Sequence, residues 1–546
     1  MLLSVERVLL VATIVLPFLG WVLSWRRRGR AVTAAAWASA ASALALLTLV
    51  LAVGPVAAGL GGSPPRPVVG AVADTTTASL LVLVCGVGAV VQSFQSRYLR
   101  AGPSSARCRS LTQLVVGSMA VVTASATLAE LVVAWVLASV AFVTLLSERR
   151  DLVGTAAAAR AARRAFLVGD GSLVAAATLV LLRLGDVSLQ DLTTAAALHQ
   201  LGAVRAPVAL LVTVAAAARA AQGPFRRWLS LTVAAPTPTS ALLHAGVVNG
   251  AGILLVRLGG LAGWAPAMAA LLVVSGATIV ASSAASRRRP DAKGRLAMST
   301  ASQMGFMLAE IAVGLWPAAV VHLIGHGCYK ASRFLSAGTV TGASHLGRRP
   351  VGRPHAFRAA TAGRAGTAGR AGTAGTAGRA RRSVLLGALA VAAAGVAVAP
   401  GVALGDGPDL AAIAAVAAAV LGAAWWSHRP ARGAARHIWP LLLVAAAGAY
   451  GALVGTMARA LATSLPVAHG LDPSLLLVVA GAALAFSSLD RLRPMGGRAL
   501  PIGSATPVAA RPATARPATV AAMASGTSPS PLPVPPLAEA DESEVA

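Results

Sequence analysis

Three titratable side chains recur at four-residue intervals in one apolar stretch of the 546-residue chain, at His322, His326 and Lys330. Because side chains four residues apart share one face of an α-helix, this spacing predicts a polar stripe roughly 12 Å long. Imidazole and amine groups can accept and release protons. If the surrounding helix lies in a membrane, the stripe predicts a path for protons or other cations.

A structural interpretation of the same stripe stays open. Lys330 could extend its amine to the membrane surface while the two histidines bond to each other or to a backbone carbonyl. Lysine occurs only at Lys293 and Lys330 in the whole chain. A GC-rich genome would favour arginine over lysine at every position. The survival of these two lysines makes transport the hypothesis to test.

The composition places these residues in a membrane protein. Hydrophobic residues make up 56% of the chain and charged residues only 12%, which is far from the balance of a soluble domain. Apolar runs long enough to cross a hydrocarbon core of about 30 Å recur along the sequence. These fifteen runs lie near 5–24, 31–56, 77–96, 112–127, 129–147, 165–183, 206–222, 240–257, 265–286, 297–315, 318–338, 383–403, 409–427, 438–463 and 473–489. The expected fold class is therefore all-α, a polytopic membrane bundle of about fourteen to fifteen transmembrane helices.

The net charge of +28 is better explained by the orientation of the chain in a membrane than by binding of nucleic acid. Arginines collect in alternate loops, and the intervening loops carry few of them. The arginine-rich loops lie at 26–30, 97–109, 149–164, 226–227, 287–289, 348–382 and 429–436. By the positive-inside rule these loops are cytoplasmic, which predicts a multi-pass protein of the inner (plasma) membrane. Its N-terminus is then outside and its C-terminus cytoplasmic, and the first run, without a basic n-region or cleavage site, is expected to be retained.

Composition also divides the chain into five parts. N-terminal transmembrane helices at 1–65 precede an expected ion-conducting core at 66–345. A basic Gly/Ala/Thr/Arg tract at 346–382 predicts a flexible cytoplasmic loop. Further transmembrane helices are expected at 383–490, and the Pro/Ala-rich tail at 491–546 is expected to be disordered.

Two charge pairs are expected inside the core. Glu310 precedes the turn at 316–317 by about as many residues as His322 follows it, so a helical hairpin should bring both to one level. Asp170 and Arg219 lie near the same ends of consecutive helices, where an ion pair would offset part of the cost of burial. Guanidinium keeps its proton in proteins, so Arg219 is expected to shift the pKa of a neighbouring group rather than to carry protons itself. A purely structural ion pair is an equal alternative there.

An irregular segment surrounds His244. Prolines at Pro236 and Pro238 and closely spaced glycines around Asn249 predict a broken helix whose backbone lines a cavity. In a regular helix, His244 would more often be an ordinary core residue. The remaining ionisable candidates for the ion path are Glu130, Asp291 and Lys293.

Four motifs in order carry a resemblance to one superfamily. They are AQGPFRRWL at 221–229, PTPTSALLHAGVVNGAG at 236–252, DAKGRLAMSTASQMGFM at 291–307 and HLIGHGCYKA at 322–331. They resemble the antiporter-like membrane subunits shared by respiratory complex I and the multisubunit sodium/proton antiporters. With a weaker match at 74–100, the resemblance covers roughly residues 70–345. It implies a proton-conducting bundle built from inverted repeats, with lysines and histidines along its midplane.

Within that superfamily, the forms LHAGVVNGAG, QMGFMLAE and HLIGHGCYKA are most similar to the membrane subunit of the DAB inorganic-carbon uptake complexes. In those complexes the membrane subunit is paired with a large cytoplasmic zinc subunit that resembles carbonic anhydrase. The resemblance therefore implies cation flow coupled to one-way hydration of carbon dioxide to bicarbonate. Zinc would belong to the partner, and no cofactor is expected in this chain because it offers no credible ligand cluster.

The chain departs from the respiratory members of the superfamily. Their Trp-Glu pair is Trp135-Val136 here, their seventh-helix lysine falls at Arg219, and no lysine follows Lys330. Glu130 lies six residues before Val136 and is expected to replace the missing carboxylate only in part. These losses argue against a complete complex I style pump.

Two transport alternatives nevertheless remain: an L/5-like proton-translocating subunit of an NADH-quinone oxidoreductase, and a cation/proton antiporter subunit. An inert membrane anchor is a further possibility. The sequence has no Rossmann glycine fingerprint and no P-loop, so no catalytic site is expected in this chain.

Overall fold

The computed structural model describes residues 2–26, 29–60, 69–99, 105–149, 152–185, 187–346 and Leu461. These residues form a helical bundle, which confirms the expected all-α membrane class. Within the described part, seven helical segments are long and apolar enough to cross a membrane. The longer helices are α1 Leu2–Trp25, α2 Gly29–Val53, α3 Thr75–Tyr98, α4 Ser105–Ala124, α5 Leu128–Ser147, α6 Thr155–Leu184, α8 Arg205–Arg219, α13 Ala265–Arg288, α14 Ala292–Ala312 and α15 Trp316–Leu346.

Shorter helices complete the core. They are α7 Ala195–Gln200, α9 Arg226–Leu231, α10 Thr237–Leu242, α11 Gly250–Arg257 and α12 Gly259–Ala262. Between α10 and α11 the backbone forms a π-helical turn at Leu243–Val247. The expected run 240–257 is therefore a broken helix, as the prolines and glycines predicted.

The expected apolar runs up to 318–338 each coincide with helices of the structure. The last four runs and the segments 346–382, 383–490 and 491–546 fall outside the described residues, apart from Leu346 and Leu461. Helices α4, α14 and α15 are not among the seven apolar spans. Their serines, threonines, glutamines and ionisable side chains lower their hydropathy, and many of these polar groups are buried against other helices.

The first four helices pack together, with α1 against α2 and α4, and α3 against α2 and α4. The chain then continues through α5, α6 and α8, which pack in sequence. Helices α13 and α14 form a close pair, and α15 packs on α14, α10 and α3. The broken helix α10–α11 is thereby enclosed by α3, α4, α8, α14 and α15.

A small antiparallel hairpin was not expected from the sequence. The run 31–56 overestimated α2, which ends at Val53 because Gly54 adopts a positive φ of 111°. Strand β1, Val56–Leu60, then pairs with β2, Val69–Ala73. The hairpin is bound to the start of α5, because Ala126 donates its backbone amide to Gly70 at 3.0 Å.

Side-chain caps fix the starts of three helices that hold candidate residues or lie beside them. The Asp74 carboxylate accepts the Thr77 amide of α3, and the Asp291 carboxylate accepts the Gly294 amide of α14. Thr127 and Glu130 form a reciprocal capping box at the start of α5. Each cap satisfies amides that a helix leaves unpaired at its first turn.

Candidate functional site

The turn between α14 and α15 brings an acid and an imidazole together. Glu310, in the last turn of α14, places its Oε2 3.0 Å from Nδ1 of His322 on α15. Glu310 is buried and His322 is 15% exposed. The predicted contact across this hairpin is present, and it gives the buried carboxylate a hydrogen-bonding partner that such a group requires.

One turn further along α15, His326 contacts the broken helix. Its Nδ1 lies 3.2 Å from Oδ1 of Asn249, and the Asn249 amide nitrogen donates to the Leu323 carbonyl at 3.2 Å. The second bond orients the amide, because a carbonyl only accepts, so the oxygen of Asn249 faces His326. Nδ1 of His326 is then the protonated nitrogen. Its Nε2 is buried without a hydrogen-bonding partner and is able to accept a proton.

Lys330 lies a further turn along α15 and is fully buried. Its Nζ donates to Ser299 Oγ at 2.5 Å and is 3.4 Å from the Leu296 carbonyl, both on α14. Within the described residues no carboxylate pairs with this amine. The structure therefore excludes the interpretation in which Lys330 extends to the surface, because its amine points into the bundle.

His244 reaches the same group of residues from the π-helical turn. Its ring stacks on Phe334 of α15, with centroids 4.2 Å apart and planes 6° from parallel. Phe334 lies one turn after Lys330 on the same face of α15, so His244 lies beside the stripe. The predicted stripe on α15 is thus joined by a third imidazole from the broken helix.

The resulting series runs from Glu310 through His322 and His326 to Lys330, with His244 beside it. The centroids of the rings of His322 and His326 are 6.2 Å apart. No hydrogen bond joins the two rings among the described residues, so proton transfer between them would need a bridging water molecule. We call these five residues the polar chain.

A second buried ionic group lies where α5, α6 and α8 meet. Arg219, 1% exposed, places Nη2 3.2 Å from Oδ1 of Asp170 and 2.6 Å from Ser139 Oγ. Its guanidinium carbon lies 3.9 Å from the ring centroid of Trp135 and 4.6 Å from that of Phe166. The predicted ion pair is present, and two aromatic faces hold the cation in a fixed position.

Three candidates are not brought into either group. The Glu130 carboxylate accepts backbone amides of Gly70 at 2.6 Å, Thr127 at 3.1 Å and Ala126 at 3.2 Å. Asp291 caps α14 at its first turn. Lys293 donates to the Ala235 carbonyl at 3.1 Å and so ties α14 to the entrance of α10. The Glu130 oxygens, which were expected to replace in part the carboxylate missing beside Trp135, bind the hairpin and cap α5.

The comparison with protein families bears directly on this geometry. Residues 125–349, which contain both ionic groups, match the family model described as NADH:quinone oxidoreductase/Mrp antiporter, TM. This segment is therefore similar to the membrane domains of that family. The chain is therefore a multi-pass membrane protein with an antiporter-like domain, as the four motifs indicated.

Curated relatives of the domain fall into two groups. The chain is 33% identical over 277 residues to a protein of Bacillus subtilis named a probable inorganic carbon transporter subunit DabB, covering 50% of this chain and 55% of that protein. It is 32% identical over 281 residues to NADH-quinone oxidoreductase subunit L of Mycobacterium tuberculosis, covering 50% and 43%. The chain thus spans about half the length of the curated relatives it matches.

A solved structure shares the fold. The Mrp complex from Dietzia sp. superposes with a TM-score of 0.57 at 21% identity, covering 91% of this chain and 57% of that one. Identity at this level supports the arrangement of helices alone.

Several residues of the antiporter-like domain were not singled out from the sequence. Ser299, Ser139 and Phe334 are ordinary side chains whose roles depend on contacts between distant helices. Arg257 at the end of α11 is another, and it donates to the Ser125 carbonyl and to Thr77 Oγ1, 3.4 Å away. Arg257 ends an apolar run, which is a pattern that the sequence shows. Ser299, Ser139 and Phe334 have no such pattern around them.

The described residues hold no group of three or more His, Cys, Asp or Glu placed to bind a metal ion. The three histidines of the polar chain are spread along the helices and bonded to different partners. The arrangement consists of groups that can take up and release protons.

Proposed function

We propose that this chain is the cation-conducting membrane subunit of a two-component inorganic-carbon uptake complex, and that the cation is the proton. The observation that carries the proposal is the polar chain: an acid, three imidazoles and an amine along α14, α15 and the π-helical turn, all of them buried except the partly exposed His322. Such groups are expensive to bury in a membrane bundle and are typical of ion pathways. The similarity to proteins named as probable inorganic carbon transporter subunits supports inorganic carbon as the substrate of the proposed complex.

The proposed partner is a large cytoplasmic subunit that resembles carbonic anhydrase and holds zinc. In this scheme the membrane subunit lies in the plasma membrane with its N-terminus outside and its arginine-rich loops and C-terminus in the cytoplasm. Proton flow through the membrane subunit would drive hydration of carbon dioxide to bicarbonate in one direction by the partner.

The chemistry of the chain's own residues fits proton relay. Nε2 of His326 can accept a proton while Nδ1 releases one to a water molecule, and Asn249 Oδ1 orients the ring by accepting the Nδ1 hydrogen bond. Lys330 can take up or release a proton because its amine is held by a hydroxyl and a carbonyl instead of a carboxylate. Arg219 keeps its proton, so we assign it a fixed positive charge beside the pathway instead of a step within it.

The test is complementation of a host that lacks carbonic anhydrase and grows only in air enriched with carbon dioxide. Expression of this chain with its gene neighbour should restore growth in ambient air, and His326→Ala should abolish that growth at equal protein levels. The matched control is His199→Ala, which removes an exposed histidine on α7. Unchanged growth with His326→Ala would refute proton conduction through this site, and co-purification of a zinc-free partner would refute the proposed complex.

A second candidate is a proton-translocating subunit of a complex I-like NADH-quinone oxidoreductase, favoured by the similarity to subunit L. It predicts co-purification with quinone oxidoreductase subunits. A sodium/proton antiporter subunit instead predicts that added sodium collapses a pH gradient in vesicles only when this chain is present.

A further inference from the structure

A groove lies where α2 begins, between α3 and α4, outside the segment that matches the antiporter family. Its volume is about 690 Å³. Its lining residues are Gly29, Arg30, Thr33, Ala34, Trp37, Ser96 and Arg109. We propose that this groove binds the phosphate headgroup of an anionic phospholipid, a role independent of the proposed transport.

The charge of the groove is unbalanced. Arg30 is exposed and Arg109 is half-buried. A Cβ built on Gly29 would lie 3.8 Å from Nε of Arg109, so this guanidinium rests on the first turn of α2. The amides of a first turn carry partial positive charge, which repels a cation and attracts an anion. Two guanidinium groups at a helix N-terminus are therefore stable together when an anion lies between them.

Protein groups do not supply that anion within the described residues. Neither Arg30 nor Arg109 pairs with a carboxylate there. The Nε of Arg109 is buried without a hydrogen-bonding partner. This buried donor is an observation separate from the helix terminus, and it points to an acceptor from outside the chain.

The hydroxyls in the groove are already used as donors. Ser96 donates to the Gln92 carbonyl at 2.8 Å, and Thr33 Oγ1 lies 3.2 Å from the Gly29 carbonyl and 3.1 Å from Ser96 Oγ. Recognition of the anion thus falls to the two guanidinium groups, whose paired N–H donors match the oxygens of a phosphate.

An apolar track on α2 indicates that the phosphate belongs to a lipid. Arg30 is followed on nearly the same helix face by Trp37, Leu44 and Leu51, which are 49%, 55% and 60% exposed. The distance along the helix from Arg30 to Leu51 is roughly 31 Å, close to the thickness of a hydrocarbon core. Tryptophan is typical of the membrane interface, one level below the headgroups. The acyl chains of one phospholipid fill one leaflet, about half of that thickness. The part of the face from Arg30 past Trp37 toward Leu44 therefore matches the headgroup and chains of one phospholipid, whereas a soluble phosphate would contact only its upper end.

Native mass spectrometry of the full-length chain in detergent tests the proposal, with phosphatidylglycerol and phosphatidylcholine as probes. The wild type should bind phosphatidylglycerol in preference to phosphatidylcholine. The double variant Arg30→Gln with Arg109→Gln should bind phosphatidylglycerol roughly tenfold more weakly or worse, because each arginine near the headgroups contributes to anionic lipid binding. Binding of phosphatidylcholine should not change.

The control is Arg107→Gln, which removes an equal charge two residues away, from an arginine 76% exposed and paired with Glu148. It should bind phosphatidylglycerol like the wild type. If the double variant does not fold, Arg30→Gln alone, at an exposed first-turn position, should still weaken binding several-fold. Equal binding of both lipids, full binding by the folded variants, or displacement of the lipid by millimolar inorganic phosphate would overturn the proposal.

Discussion

Glu310 Oε2 and His322 Nδ1 lie 3.0 Å apart across the turn that joins α14 to α15. The contact places a carboxylate at one end of the polar chain and fixes the orientation of its first imidazole. If the carboxylate supplies or receives protons, Glu310→Gln should lower transport by about tenfold or more, since the amide keeps the size of the side chain but loses its proton chemistry. Growth in ambient air and proton uptake by vesicles measure the effect. Glu148→Gln, at the surface pair with Arg107, is the control and should transport normally.

Lys330 allows a test that separates charge from proton exchange. Lys330→Arg keeps a positive charge near Ser299 but replaces an amine that can lose its proton with a guanidinium that does not. We expect both Lys330→Arg and Lys330→Met to stop transport, measured as proton uptake by vesicles at equal protein levels. Lys293→Arg should be tolerated, because Lys293 only donates to a carbonyl at the entrance of α10. Transport by Lys330→Arg would show that charge alone is needed at this position.

Asn249 joins the broken helix to α15 through two hydrogen bonds. Asn249→Leu should leave Nδ1 of His326 and the Leu323 carbonyl without these partners. The expected loss of folding stability is about 1–3 kcal/mol, with loss of transport. Thermal unfolding in detergent gives the first value and vesicle assays the second. A stable variant with normal transport would remove Asn249 from the pathway.

The ion pair of Arg219 with Asp170 should matter for stability more than for proton transfer. Asp170→Asn leaves the guanidinium between Trp135 and Phe166 without its counter-charge, at an expected loss of about 3–5 kcal/mol. The double variant Asp170→Leu with Arg219→Met should recover part of this loss, because replacing both charges removes the unpaired one. Thermal unfolding of the two variants tests this prediction. Asp170→Asn should be the less stable of the two, and a wild-type unfolding temperature for Asp170→Asn would show that the pair is dispensable for folding.

Gly252 is required for the close approach of three helices. A Cβ there would lie 2.7 Å from Leu323 Cδ1 and 2.9 Å from Met307 Sδ. Gly252→Ala should therefore lower the unfolding temperature, with an expected loss of about 1–3 kcal/mol. Gly325→Ala is the matched control, since nothing lies within 4 Å of its Cβ and alanine favours a helix interior.

The sequence predicted the contacts that follow from helix periodicity and from one short turn. The level of Glu310 and His322 and the stripe on α15 are of this kind. The pairing of Asp170 with Arg219 was predicted instead from their positions near the same ends of consecutive apolar runs. The stacking of His244 on Phe334 joins residues ninety positions apart, and no local pattern specifies it. The same holds for Trp135 and Phe166 around Arg219, which come from two different helices.

The structure gives Glu130 a capping role that its sequence neighbours also indicate. Its spacing from Thr127, Thr-Leu-Ala-Glu before an apolar run, is the pattern of a capping box and was visible in the sequence. The β1–β2 hairpin, which supplies the Gly70 amide to Glu130, lies between helices where hydropathy alone gives no strand signal.

The π-helical turn at Leu243–Val247 holds one residue more than an α-helical turn would, as the Val248 amide bonds to Leu243 five positions back. The segment thus has a spare peptide unit between His244 and Asn249. Deleting Gly246 would allow it to close into a continuous α-helix while the flanking turns kept their phase. A related protein that lacks this one residue would therefore keep both polar side chains in place. An insertion of one residue within α11 would instead rotate every later residue of the helix by about 100° about its axis.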